Sequence, residues 1–236
     1  MPSTLTQELL DPILQTDPAG PRVTYYDDAT GERIEVSAVT LANWAAKTAN
    51  LLRDEVGVEP GAKVAVLLPA HWQTAAVLLG AWWAGADVVL TADPDSEVAL
   101  VHGTRLDDAG DIPEVLALSL DAFGRPVADL PVGVTDYATS VRVHGDQFRP
   151  SGQGAALDGR SVEDVLVAAR ARAEAHSLGL GDRVLSSLPW GTPDELIDGL
   201  LSVLVAGASL VQVNNPDKSK TERLTATEKV TKTLDQ

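Results

Sequence analysis

The stretch "FRPSGQGAALDGRS", residues 148–161, sets Gly152, Gly154 and Gly159 beside Ser151 and Ser161, directly ahead of a strongly helical run. Backbone amides in glycine-rich turns and at helix N-termini point at anions, so the chemistry suggested is phosphate binding. Ser151, Gly152, Gly154 and Arg160 are the candidate cofactor-binding residues of this loop, with Arg160 in the role of its cation. A guanidinium holds phosphate through a rigid two-donor fork and does not reproduce a lysine's point charge. The competing reading is a connector whose Ser161 caps the next helix, with Asp158, Glu163 and Asp164 opposing any anion.

A second candidate centre is a crevice containing His71 and Trp190. His71 follows an apolar strand that stops at Pro69 and precedes a helix, which puts it at the carboxyl end of a parallel strand, where open α/β sheets bind ligands. The alternative is a loop or helix-start histidine with no ligand. His102, His144 and His176 lack the i, i+4 spacing of a helical metal pair, so no metal site is expected. No Gly-x-Ser-x-Gly elbow is present, and carboxylates are too plentiful to single out an acid/base pair, so no catalytic residue is nominated. Trp44, Trp72, Trp82 and Trp83 read as core or interface rather than an aromatic cage.

These residues need a scaffold, and the pattern supplies one. "RVTYYDDATGERIEV" reads as a hairpin turning at Asp28 to Gly31. "SAVTLANWAAKTANLLRDEVG" reads as an amphipathic helix capped by Ser37 and ended by Gly57. The apolar run Val64 to Leu68, the helix 72–84 and the strand Asp87 to Leu90 make a βαβ unit with parallel strands. "VALVHG" and "VLALSL" are further strands, and 121–150 reads as loop with one short helix near "DYATSVRV". The helix begun at Ser161, the strand "RVLSSLP", a helix from Pro193 to Ala206 and the strand "ASLVQV" complete an α/β fold of mostly parallel strands flanked by helices. The expected organisation is one α/β domain, 1–216, divisible into lobes at about 1–147 and 148–216. A polar, mobile tail is expected over 217–236, with an edge strand at Lys229 to Leu234 as the one element it could form.

Composition limits the partners. The 236 residues carry 34 acidic and 18 basic side chains, a net charge of −16. That field repels nucleic acid and anionic membranes. Lysine is absent from 64 to 217, so a cation needed there must be arginine, histidine or a metal. Cysteine is absent throughout, which excludes disulfides and thiolate chemistry. The N-terminus has neither the basic start nor the apolar run of a secretory signal, and the expected compartment is the cytoplasm.

Two blocks carry a resemblance to the adenylate-forming (AMP-binding) enzymes, the acyl-CoA synthetase and luciferase superfamily. "VTLANWAAKTANLLRDEVGVEPGAKVAVLLPAHWQTAAVLLGAWWAGADVV" is similar to that superfamily's opening helix, turn, strand and helix, through Gly57, Val58, Gly61, Val64, Ala65, Pro69, Gly85 and Ala86. "LGLGDRVLSSLPW" with "LIDGLLSVLVAGASLVQV" resembles the segment after its phosphate loop, through Gly181, Asp182, Arg183, Pro189, Gly199, Gly207 and Ala208. The resemblance covers roughly 20–213 and implies the front portion of an adenylate-forming N-terminal domain. Where that superfamily has a Ser/Thr- and Gly-rich loop ending in Pro-Lys-Gly, this chain has "PSGQGAALDGRS", a degenerate phosphate loop without threonine or lysine. The superfamily's later adenine, ribose and lysine motifs are not found in the 236 residues. The resemblance therefore implies a truncated homologue, and an intact one-chain ATP-dependent ligase is not expected. The arginine, alanine and valine bias fits short relatives from a GC-rich, actinobacterial genome.

Three functions follow as expectations. The first is a catalytically incomplete homologue that acts by binding a protein partner or forming a homodimer. The second is a nucleotide- or acyl-adenylate-binding protein, or one part of a split acyl-adenylating enzyme, using loop 151–160; ATP or AMP suits this reading, although the sequence requires neither. The third is an unrelated enzyme activity in the crevice near His71. Fold analogy does not choose among them.

Overall fold

The computed structural model describes residues 3–234. Helix α1 (Leu5–Thr16) comes first, followed by the hairpin β1 (Pro21–Asp27) and β2 (Glu32–Ser37) and helix α2 (Ala38–Asn50), which continues as a π-helical turn, Leu51–Val56. Then come β3 (Lys63–Leu67), α3 (Trp72–Ala84), β4 (Asp87–Val89), β5 (Val98–His102), β6 (Glu114–Leu118), β7 (Val134–Asp136) and α4 (Tyr137–Val141). The chain closes with α5 (Val162–Ala175), β8 (Arg183–Ser186), α6 (Pro193–Leu196), a π turn at Ile197–Leu201, α7 (Ser202–Val205), β9 (Ser209–Asn214), α8 (Lys218–Glu228) and β10 (Lys232–Leu234).

Two five-stranded sheets result, ordered β10-β8-β9-β1-β2 and β4-β3-β5-β6-β7. All neighbouring pairs run parallel except the β1–β2 hairpin. One apolar cluster joins a face of each sheet through the helices between them: Val23 and Leu210 from one sheet, Val64 and Leu100 from the other, and Leu41, Leu78, Leu166 and Leu200 from α2, α3, α5 and the second π turn. Because side chains alternate along a strand, Ala65 and Val101 face the opposite way, onto the short 3₁₀ segment Leu106–Ala109, and Val211 and Val213 face α8.

Local capping decides where the helices start. Thr4 with Gln7, Ser161 with Asp164 and Thr192 with Glu195 form reciprocal capping boxes, and the Ser37 hydroxyl accepts the Thr40 amide. Gly57 and Gly85 end their helices at φ +87, a conformation in which a β-carbon is strained.

Three expectations need correction. Residues 121–150 contain a strand, β7, besides the short helix. The lobes do not divide near 147, because β1 and β2 pair with β9 and lie in the same sheet as β8 and β10. The 217–234 part of the tail forms α8 and the edge strand β10, which pairs Lys232 with Val184. Leu224 is the one large apolar side chain that α8 buries; its other buried residue is Glu228, which accepts hydrogen bonds from Arg183, Arg33 and Tyr26. That helix is held as much by ion pairs as by apolar contact, which hydrophobic periodicity does not register. Residues 235 and 236 of the expected tail lie outside the described residues.

Candidate functional site

The carboxyl ends of both sheets open onto one cleft of about 1040 Å³, lined by the ends of β1, β3, β4, β5, β6, β8 and β9. His71 and Trp190, the two crevice candidates, both line it.

His71 is the N-cap of α3, its backbone extended at φ −161 after the Pro69 break. Its Nδ1 accepts the Gln73 amide at 3.2 Å, so in the neutral ring the proton sits on Nε2. Burial holds the imidazole below its ordinary pKa, and the nearby Glu32 carboxylate opposes this only in part. Nε2 lies 3.7 Å from Glu32 Oε1, and neither atom has a hydrogen-bond partner. The Tyr25 ring meets the imidazole edge-on at 4.4 Å. With Nδ1 held by the backbone, His71 has no free lone pair for a general base, and its open function is donation from Nε2–H.

His102, the last residue of β5, is fully engaged. Its Nε2 donates to the Ser119 carbonyl at 3.1 Å and its Nδ1 accepts from Thr104 Oγ1 at 2.7 Å. Asn214 Nδ2 ties β9 to the Ala70 carbonyl at 2.8 Å, just before His71. Trp190 is 2% exposed and leans on the second π turn; a β-carbon at Gly199 would come 2.9 Å from its indole nitrogen. Glu32, Asn214 and Arg105 are cleft residues that sequence reasoning did not find, because they sit on three strands or turns with no shared motif.

Lining charges are mostly negative: Asp27, Glu32 and Asp108 against Arg105, with no lysine. Arg105 is paired with Asp108 at 2.6 Å, and Asp27 Oδ1 accepts from the Ala29 amide and the Asn215 side chain.

The loop residues lie elsewhere: Ser151, Gly152, Gly154 and Arg160 do not line the cleft. Gly152 and Gly154 pack on Pro60, Gly61 and Gly85, at the amino ends of β3 and β4, about 20 Å along β3 from the cleft at roughly 3.3 Å per residue. A β-carbon on Gly154 would sit 2.3 Å from the Gly61 α-carbon, so this glycine serves close backbone approach. Its amide donates to the Gly85 carbonyl at 3.2 Å. The amides of Ala156, Asp158 and Arg160 go to Arg160, Val88 and Leu157 carbonyls, and that of Gly159 to the Asp87 carboxylate. Ser151 is exposed, and the Arg160 guanidinium is 4.0 Å from Asp194. The fold family implies ATP, but these residues do not fit its phosphates: a protein carboxylate already occupies the Gly159 amide, and the other amides named are turned to backbone carbonyls. Among the described residues no cluster suited to a metal ion occurs, and no helix is long and apolar enough to cross a membrane.

Comparison with known proteins agrees with this architecture. No protein-family model matches the chain. It is 60% identical over 241 residues to a TIGR03089 family protein of Mycobacterium tuberculosis, covering 99% of each chain. The fold is similar to that of Brucella canis acyl-CoA synthetase, with a TM-score of 0.81 at 17% identity over 98% of this chain and 47% of that one. It is also similar to the anthranilate CoA ligase AuaEII in complex with anthranoyl-AMP, with a TM-score of 0.72 at 14% identity over 95% of this chain and 48% of that one. The chain thus spans about half the length of these solved structures and has the fold of the N-terminal part of adenylate-forming enzymes.

Proposed function

Because the chain belongs to the TIGR03089 family and folds as the front portion of an adenylate-forming enzyme, we propose that it binds a small organic molecule in the cleft between its sheets and does not by itself activate acids with ATP. One observation carries this reading: a cleft of about 1040 Å³ at the carboxyl ends of both sheets, lined by His71, whose buried Nε2–H lies 3.7 Å from Glu32 Oε1 without a hydrogen-bond partner. Clefts at this place in α/β sheets are common ligand sites. The engaged amides of loop 151–160 favour binding without nucleotide chemistry.

The test is a titration with anthranoyl-AMP, AMP, ATP and a panel of small aromatic acids, amides and amines, followed by chemical shifts of the His71 ring and the Trp190 indole. Saturable shifts at both residues support the reading. Pyrophosphate exchange into ATP that depends on an added carboxylic acid would overturn it.

Exposed apolar side chains favour a second reading, a protein partner or homodimer. Phe123, Val132 and Val143 are 70%, 106% and 82% exposed on the segment around β7 and α4. Arg142 ties the two stretches by donating to the Gly124 carbonyl at 2.7 Å. Sedimentation velocity of the wild type and of a Phe123→Ser, Val143→Ser variant tests it; a monomer at every concentration would count against a homodimer.

A further inference from the structure

The charge and hydrogen-bonding pattern of the cleft narrows its ligand, granted the small-molecule reading above. We infer that the cleft takes an uncharged ligand presenting a hydrogen-bond acceptor and donor side by side, a primary carboxamide on an apolar body, bridging His71 and Glu32 from the cleft side, and that it rejects carboxylates and polyphosphates.

Two atoms define the polar end. His71 Nε2–H can only donate, since Nδ1 is held by the Gln73 amide, and Glu32 Oε1 can only accept while the carboxylate is ionised. They lie 3.7 Å apart, and both are buried without partners. A buried donor or acceptor without a partner is costly, so a ligand that satisfies both recovers that cost on binding. The oxygen and nitrogen of a carboxamide are roughly 2.2 Å apart by their bond lengths, a spacing that accepts from Nε2–H and donates to Oε1 through two near-parallel bonds. Glu32 is the first residue of the edge strand β2, and its side chain is 22% exposed, so its carboxylate can swing aside and return over the ligand. The apolar body has Val66, Leu68, Leu90, Leu120 and Trp190 to lie against.

The same atoms exclude anions. A carboxylate or phosphate placed to accept from His71 would face Glu32, with Asp27 and Asp108 also lining the cleft, and Arg105, the one arginine among its lining residues, is already paired with Asp108. Like charges brought together in a partly dry site weaken binding by about tenfold or more.

Benzamide and benzoate share one ring and differ at this end, so they are the probes, with Mg-ATP as the polyphosphate. Each is titrated into the full chain at pH 7.5 and followed at the His71 and Trp190 resonances. Benzamide should bind at least about tenfold more tightly than benzoate. Glu32→Gln should bring the two within about threefold of each other, since it removes the charge and keeps an amide that can donate to a carboxylate. His71→Asn keeps a helix-capping oxygen while shortening the reach, so it should lose benzamide binding with the fold intact by circular dichroism. Benzoate or Mg-ATP binding in the cleft as tightly as benzamide overturns the inference and leaves the small-molecule reading standing. Silence of both resonances toward all three probes at 10 mM, a concentration at which weak fragments with dissociation constants of about 1 mM saturate, counts against both.

Discussion

The Asp87 carboxylate receives the Gly159 amide on both oxygens, each at 3.1 Å. A glycine-rich turn ahead of a helix offers amides to an anion, and here the anion is a side chain of the same protein. The turn thereby becomes a tape along the edge strand β4, with a bridge between Val88 and Leu157.

Burial pushes the Asp87 carboxyl above its ordinary value, and the Gly159 amide offsets only part of that. A raised value in the folded state means that this group favours folding when protonated and that the benefit is lost as pH rises through the raised value. Asp87→Asn keeps an acceptor for Gly159 without the charge and should be at least as stable as the wild type at pH 7. Asp87→Ala strands the amide and should cost about 1–3 kcal/mol in urea melts.

Gly154→Ala places a β-carbon 2.3 Å from the Gly61 α-carbon, with backbone on both sides and no flexible side chain to yield. It should cost about 1–3 kcal/mol or more by overpacking. Gly159→Ala meets open space at φ +76 and should cost about 1–2 kcal/mol from left-handed strain alone. Equal melting temperatures for wild type and Gly154→Ala would remove the packing role.

Burial lowers the His71 pKa, so the folded state keeps the ring neutral while the unfolded chain takes up a proton near the ordinary value of 6.5. The unfolded state then binds more protons below that value, and stability falls as pH is lowered from 7 to 5. His71→Asn should flatten this part of the stability–pH curve. An unchanged slope would mean that the histidine titrates alike in both states.

Burial raises the Glu228 carboxyl, but hydrogen bonds from Tyr26, Arg183 and Arg33 outweigh it and leave the value lowered. Its stabilisation is present above the ordinary glutamate value of 4.5 and disappears as pH falls through the lower folded value. Arg183→Met should cost about 1.5–3 kcal/mol and expose α8 to proteolysis within 217–231 before the rest of the chain is cut. Simultaneous cleavage throughout the chain would show that α8 does not open independently.

Much of the scaffold was legible because its signals are local. Ser37 and Ser161 as caps, the Pro69 break, Gly57 and Gly85 as helix ends and the apolar runs of β3 and β5 all act within a few residues. Helix α1 went unread although Thr4 and Gln7 form a capping box, because Pro12 inside it argues against a helix. Helix α8 went unread because Glu228 is held by Arg183 and Arg33, 45 and 195 residues away.

The sequence by itself determined the α/β class, the βαβ order and the superfamily likeness, since each depends on residue type and short spacing. Only the tertiary structure decided that the N-terminal hairpin joins β9, that Glu32 comes to rest 3.7 Å from His71, and that the amides of Gly154 and Gly159 are already taken by Gly85 and Asp87. Those pairings join residues dozens to nearly two hundred positions apart. They are set by how two sheets close on a shared helical layer, which no local pattern encodes.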